Sequence, residues 1–179
     1  MKTRKRAAEA TATQPLATLR FALKRDGTPV LSITRRDGSV TWQRQSAFFP
    51  LHDLTHYAIE TVLGLRQAFW GMMADGWEFT DFGQPWPRGP MPNVSDALLG
   101  EVSAGSFGMF ARDHAGDDEA GAAALNEHLA DYCRQHDLPP PRVVTADEFG
   151  RIRRLRDEVQ ARWHALQPGE AMELAFAVD

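Results

Sequence analysis

The spacing of hydrophobic and polar positions changes along the chain. From Thr18 to Gln45 it is short: Leu19, Phe21 and Leu23 alternate with Arg20 and Lys24, the pattern of a strand with one dry face and one wet face. The same turn punctuates this region twice, as Arg25-Asp26-Gly27-Thr28 and Arg36-Asp37-Gly38-Ser39. Asp-Gly tolerates the positive φ angles of a tight hairpin, so the region predicts a three-stranded antiparallel meander. Ser46 to Pro50 breaks the alternation. The apolar-rich segment after it runs without proline to Gly76, which predicts one helix of about 25 residues, or seven turns.

Beyond Gly76 the pattern breaks again. The stretch TDFGQPWPRGPMPN holds four prolines, which forbid regular structure and predict a long loop carrying Trp86, either a lid over a site or a strap into the core. Ser95 can cap a helix through Ala97, Leu98, Leu99 and Val102, with Gly105 and Gly108 weakening its second half. Another helix fits Asp118 to His136, with Leu125, Leu129 and Cys133 at helical spacing. Thr145-Ala146-Asp147-Glu148 is a capping box, and the stripe Phe149, Ile152, Leu155, Val159, Trp163 and Leu166 behind it predicts an amphipathic helix. After Gln167-Pro168-Gly169, Met172, Leu174, Phe176 and Val178 alternate with Glu173, Ala175 and Ala177, a final strand added to the meander. The expected fold is α+β: a three-stranded antiparallel meander plus a C-terminal strand, packed against about four helices. Residues 18–179 are expected to form a single domain behind a flexible basic tail, residues 1–17.

Composition narrows the function classes. The chain has 179 residues, 43% hydrophobic and 25% charged, which is ordinary for a globular domain and wrong for a fibrous or disordered one. Its net charge of −4 argues against nucleic acid or an anionic membrane as partner and leaves a small molecule or another protein. Cys133 is the single cysteine, so no internal disulfide forms, a cytoplasmic location is expected, and any metal site must draw on His, Asp and Glu. No stretch approaches the roughly 20 uninterrupted apolar residues of a spanning helix, so no membrane insertion is expected. The basic N-terminus lacks the apolar run of a secretory signal. Lys2, Arg4, Lys5 and Arg6 read as a solubilising terminus rather than a phosphate contact. Arg151, Arg153, Arg154, Arg156 and Arg162 on the last helix form either an anion-binding face or a solvated surface interleaved with Asp157 and Glu158; the second is the more economical account.

The chemistry is concentrated in the first helix. At about 100° per residue, Asp53, His56, Glu60, Gly64, Gln67 and Gly71 share one narrow stripe, with His52 at its edge and apolar residues around most of the circumference. Glycine in a helix costs about 1 kcal/mol relative to alanine, so two on one stripe suggest that a ligand or another helix approaches closely there. His52 and His56 are spaced to converge on one cation. His-Asp-Leu-Thr-His differs from the zinc-protease His-Glu-x-x-His motif at Asp53, whose shorter carboxylate reaches less far, and Asp75 stands about 28 Å beyond His56 on a continuous helix. A further ligand must come from another element, with Glu101, His114, Glu127 and His128 as candidates. The stripe also has a purely structural account: acidic residues favoured by the helix dipole and a His56–Glu60 hydrogen bond between residues four apart.

The segment His52-Asp53-Leu54-Thr55-His56, with Leu63-Gly64 after it, resembles the start of the zinc motif of the helical ubiquinone-biosynthesis proteins. That family's motif closes with a glutamate where this chain has Ala68, and its fold lacks β-hairpins. The resemblance implies that His52, Asp53 and His56 act as a metal-facing unit.

Elsewhere the sequence holds no phosphate loop, dinucleotide fingerprint or nucleophile elbow; Ser103 to Gly108 reads as closely packed helix, and Cys133, despite His136 nearby, as a buried inert thiol. The expectation is therefore one divalent metal ion (zinc, iron or manganese) or a small polar ligand on the stripe, serving hydrolysis or another water-activating reaction. In it His52 and His56 are ligands, Asp53 or Glu60 accepts a proton, and Gln67 and Trp86 touch the ligand. The alternative is a non-catalytic interaction module using the sheet edge or the Arg-rich last helix.

Overall fold

The structure, a computed structural model, describes residues 14–83 and 94–178. Trp86 and the basic cluster Lys2 to Arg6 lie outside the described residues. Strands β1 (Ala17–Leu23), β2 (Pro29–Arg35) and β3 (Val40–Arg44) form the meander, and β4 (Ala171–Phe176) adds antiparallel to β1. The sheet order is β3-β2-β1-β4, so the expected α+β class holds. Gly27 and Gly38 take φ of +81° and +82°, and in each turn the preceding aspartate accepts a backbone N–H, Thr28 N on Asp26 at 3.0 Å and Ser39 N on Asp37 at 2.9 Å. Ordered contacts begin before Thr18: Leu16 N donates to Phe176 O at 2.7 Å, and Leu16 and Ala17 are buried.

Among the described residues five helices follow the meander: α1 (Phe49–Leu63), α2 (Phe69–Ala74), α3 (Val94–Asp113), α4 (Asp118–Gln135) and α5 (Ala146–Ala165), with a 3₁₀ turn at Phe79–Gly83. All pack on one side of the sheet. Leu19, Phe21, Leu31, Ile33, Leu174 and Phe176 face Leu54, Tyr57, Trp70, Met73 and Val159 in one cluster. Ala58, Ile59 and Leu63 from α1 face a second cluster with Leu99, Phe107, Leu125, Phe149 and Ile152. The helix α1 thus lies between two apolar layers, which is why it is apolar around most of its circumference. Thr145 caps α5 with both halves of the capping box in place, and Cys133 is buried. Among the described residues no helix is long and apolar enough to cross a membrane.

One element differs from expectation. The single helix from Phe49 to Gly76 is two helices, because Gly64 adopts φ +67° and ends α1 with its own N–H and that of Leu65 on Glu60 O. The chain then doubles back, and a Cβ on Gly71 would stand 1.9 Å from Arg66 O. Gly64 is therefore explained by its left-handed backbone and Gly71 by the close approach of the turn's own backbone. The break also places Glu60 in the last turn of α1, where the helix dipole disfavours a carboxylate.

Candidate metal centre

The break in the helix builds the site. With no side-chain cap of its own, α2 presents free N–H groups at its first turn, and the Glu60 carboxylate takes them: Trp70 N donates to Oε2 at 2.8 Å. The other oxygen, Oε1, lies 3.1 Å from His56 Nδ1. Glu60 is 0% exposed and His56 2% exposed. Gly100 on α3 completes the enclosure, since a Cβ there would stand 3.2 Å from Ala68 Cβ, 3.8 Å from Glu60 Oε1 and 3.9 Å from His56 Nδ1. Ser103, Ala104, Ser106 and Phe107 of the segment read as closely packed helix are buried, whereas a Cβ at Gly105 would meet nothing.

On its other side His56 meets Glu101. Its Nε2 lies 3.4 Å from Glu101 Oε2, and the His52 ring is 4.8 Å from the His56 ring, nearly perpendicular at 80°. One donor atom each from His52, His56 and Glu101 lies within 4.8 Å of the others. Of the candidate further ligands, the structure brings Glu101 to the histidines; His114, Glu127 and His128 are not in this group. Glu101 is exposed, His52 half-buried and His56 buried, so the three form a graded mouth rather than a sealed core.

These side chains open onto a cavity of about 510 Å³ whose lining includes His52, Asp53, His56, Glu101 and Gln43 on its polar side. The rest is apolar, with Phe49, Phe69, Met72, Phe79 and Phe82. Phe69 ties the two parts together, its ring 5.5 Å from His56 and 4.8 Å from Phe82. Buried Arg35 fixes the aromatic wall to the sheet by donating to Met73 O at 2.7 Å and Trp77 O at 2.6 Å.

Electrostatics follows from burial. Burial pulls the His56 imidazolium down, but the hydrogen bonds it donates to Glu101 and Glu60, and their charges, outweigh it and lift the group to about 9. Burial raises Glu60 against the pull of His56 and the α2 amides. Burial pushes Asp53 up to about 7, opposed by His56 and by the hydrogen bond that Gln45 Nε2 donates to Asp53 Oδ2. His52 is lowered, by burial and by the charge of His56. Two chemical states fit this geometry: an imidazolium at His56 bridging two carboxylates, or a neutral His56 donating Nδ1–H to Glu60 with a metal ion in place of the Nε2 proton.

The residues singled out in the sequence are partly reassigned. His52, Asp53 and His56 line the cavity, whereas Glu60 sits behind His56, fully buried, with its oxygens on His56 Nδ1 and Trp70 N. Its carboxylate is thus engaged by His56 and the α2 backbone rather than by the cavity. Gln67 falls in the turn after α1 and is absent from the cavity lining, because the helix that would have carried it onto the stripe has ended. Ala68, at the closing glutamate of the ubiquinone-biosynthesis motif, is buried against Gly100, so the resemblance stops at the two histidines and Asp53. Sequence reasoning missed Gln43, Gln45, Gly100 and the phenylalanines; Leu63-Gly64 is a helix C-cap signal that could have revealed the turn. The α5 arginines mostly meet their own neighbourhood: Arg153 Nε lies 2.9 Å from Asp118 Oδ1, Arg156 pairs with Asp157, and Arg162 Nη2 donates to Glu173 O at 3.2 Å.

The chain finds no match among protein-family models, curated proteins or solved structures.

Proposed function

We propose that this chain holds one divalent metal ion through His52, His56 and Glu101 and uses it on a small molecule bound in the adjoining cavity. The observation that carries the reading is the convergence of the three donors within 4.8 Å together with the buried Glu60 on the far nitrogen of His56. A carboxylate behind a ligating histidine fixes its tautomer and raises its basicity, an arrangement common in metal sites. Zinc, iron and manganese all suit two imidazoles and a carboxylate. When bound, such an ion supplies Lewis acidity, polarising a substrate oxygen and acidifying water, which favours hydrolysis or another water-activating reaction. Asp53, on the cavity wall beside His52, is the candidate to exchange a proton with the substrate; Glu60 positions His56. The single buried thiol fits a cytoplasmic setting.

The test is elemental analysis of untagged protein beside a His52→Ala/His56→Ala double variant and a Glu101→Ala variant. The reading expects stoichiometric zinc, iron or manganese in the parent, loss in the double variant, and metal affinity reduced about a hundredfold or more in Glu101→Ala. Absence of metal in the parent, with no uptake on titration, rejects it.

A second reading, an interaction module, is favoured by Val40 and Trp42, 57% and 62% exposed on the sheet face away from the helices. A Trp42→Ser variant that loses a partner in pull-downs while keeping its metal would support that role.

A further inference from the structure

We infer that the ligand of this site is an aromatic molecule of one or two rings that binds the ion through oxygen, as a catecholate, phenolate or aromatic carboxylate does. The inference rests on the metal reading above and adds the substrate class. Three features of the cavity argue for it.

The first is charge. Asp53 and Glu101 line the cavity with the two histidines, and among the described residues no lysine or arginine lines it. Sites that select phosphate or a nucleotide commonly place cationic side-chain forks on the anion. Among the described residues the ion would be the strong positive charge of the cavity, so the ligand offers a compact anionic or polarisable oxygen and not a spread of phosphate oxygens. The second is the wall. Phe69, Phe79 and Phe82 are only half-buried and Phe49 is 46% exposed, so these rings are not sealed into the core. Their centroids stand 4.8 Å apart for Phe69–Phe82 and 6.5 Å for Phe69–Phe79, a loose cluster with ring faces and edges left for a further ring. The third is size and reach. About 510 Å³ holds one or two rings comfortably, and Phe69 is in contact with both His56 and Phe82, so a ring on this wall lies beside the metal donors. Three protein donors leave up to three positions on an octahedral ion, room for two adjacent ligand oxygens. Gln43, on the core-facing side of β3, supplies an amide for a polar group elsewhere on the molecule.

The experiment uses the full chain loaded with Co²⁺, whose visible absorption reports metal occupancy, and 4-nitrocatechol, whose own absorption shifts when it chelates a metal. Acetohydroxamic acid serves as a chelator without a ring, and inorganic phosphate as an anion. The inference expects Phe82→Ala to weaken 4-nitrocatechol about tenfold, with Co²⁺ and acetohydroxamic acid affinities held within about twofold. Phe82→Leu, which keeps much of the apolar volume and is the safer variant for folding, moves 4-nitrocatechol in the same direction by less. Phosphate does not displace 4-nitrocatechol. If Co²⁺ binds but 4-nitrocatechol does not, or if both chelators weaken equally in both variants, or if phosphate competes it away, the aromatic ligand class is overturned while the metal reading stands. If Co²⁺ fails to bind, the metal reading falls and the ligand class with it.

Discussion

The two hairpin turns and the α1–α2 junction each turn on a glycine at positive φ, yet they do so with different partners. At Gly27 and Gly38 the turn is closed by the aspartate beside it, and the neighbourhood of the glycine is open. At Gly64 the glycine is equally open, but the turn matters for what it delivers: α2 amides onto Glu60, ten residues earlier than Trp70, with α3 packed over them at Gly100. One turn is self-sufficient. The other is a device that buries a carboxylate behind a histidine. Local chemistry sets the first and tertiary contacts set the second.

The largest expected difference between the regions is at Glu60. Replacing it with alanine leaves His56 and the α2 amides without their buried acceptor, so unfolding in urea should show a loss of about 3 to 5 kcal/mol, against a far smaller loss for Asp26→Ala in an exposed hairpin. Glu60→Gln keeps the shape and should spare most of the stability while lowering metal affinity about 10- to 100-fold, read by competition with a chelator. Equal costs at Glu60 and Asp26 would erase the distinction.

Next in size is Gly100. Leucine there runs into Ala68, Glu60 and His56 and should cost about 1 to 3 kcal/mol, whereas leucine at Gly105, where a Cβ meets nothing, should be neutral or stabilising. Thermal melts of the two variants separate the close approach from mere helix propensity.

Gly64→Ala and Gly38→Ala should then cost about the same, about 1 to 2 kcal/mol each, since both glycines have positive φ and open surroundings. A much larger cost at Gly64 would mean that the junction is held by more than its backbone angle.

The smallest effect is the acid dependence of the hairpins. Hydrogen bonding by Ser39, chiefly its side chain and then its amide, holds Asp37 below its ordinary value of 3.8. A depressed carboxyl contributes stability that is fully present above the unfolded value and lost as pH falls through the folded one. Asp37→Asn should therefore be less stable than the parent at about pH 7 and approach it at about pH 2, by urea midpoint.

The same contrast explains what was legible in the sequence. Asp26-Gly27 and Asp37-Gly38 carry their turn chemistry in adjacent residues, and the capping box at Thr145 and Glu148 is likewise local, so strands, order and class were readable from spacing. His52 and His56 were readable because four residues make one helical turn. Glu101 stood only as one of four candidates, because its approach to His56 depends on how α3 crosses α1 over Gly100, and no spacing encodes that. Glu60 read as a candidate proton acceptor because the helix was extended through Gly64; the left-handed cap there brings the α2 amides onto its carboxylate and buries it behind His56. Gln67 was misplaced by the same extension. The phenylalanine wall was hidden among core residues, since Phe69 and Phe82 differ from Phe21 only in being left half-exposed.

The most direct test of the central claim is anomalous diffraction from crystals of the native chain grown with zinc or manganese. The account predicts one peak within bonding distance of His52, His56 Nε2 and Glu101, with Glu60 still on His56 Nδ1 and outside the coordination sphere. A map with His56 Nε2 held directly by Glu101 and no peak between them would contradict it.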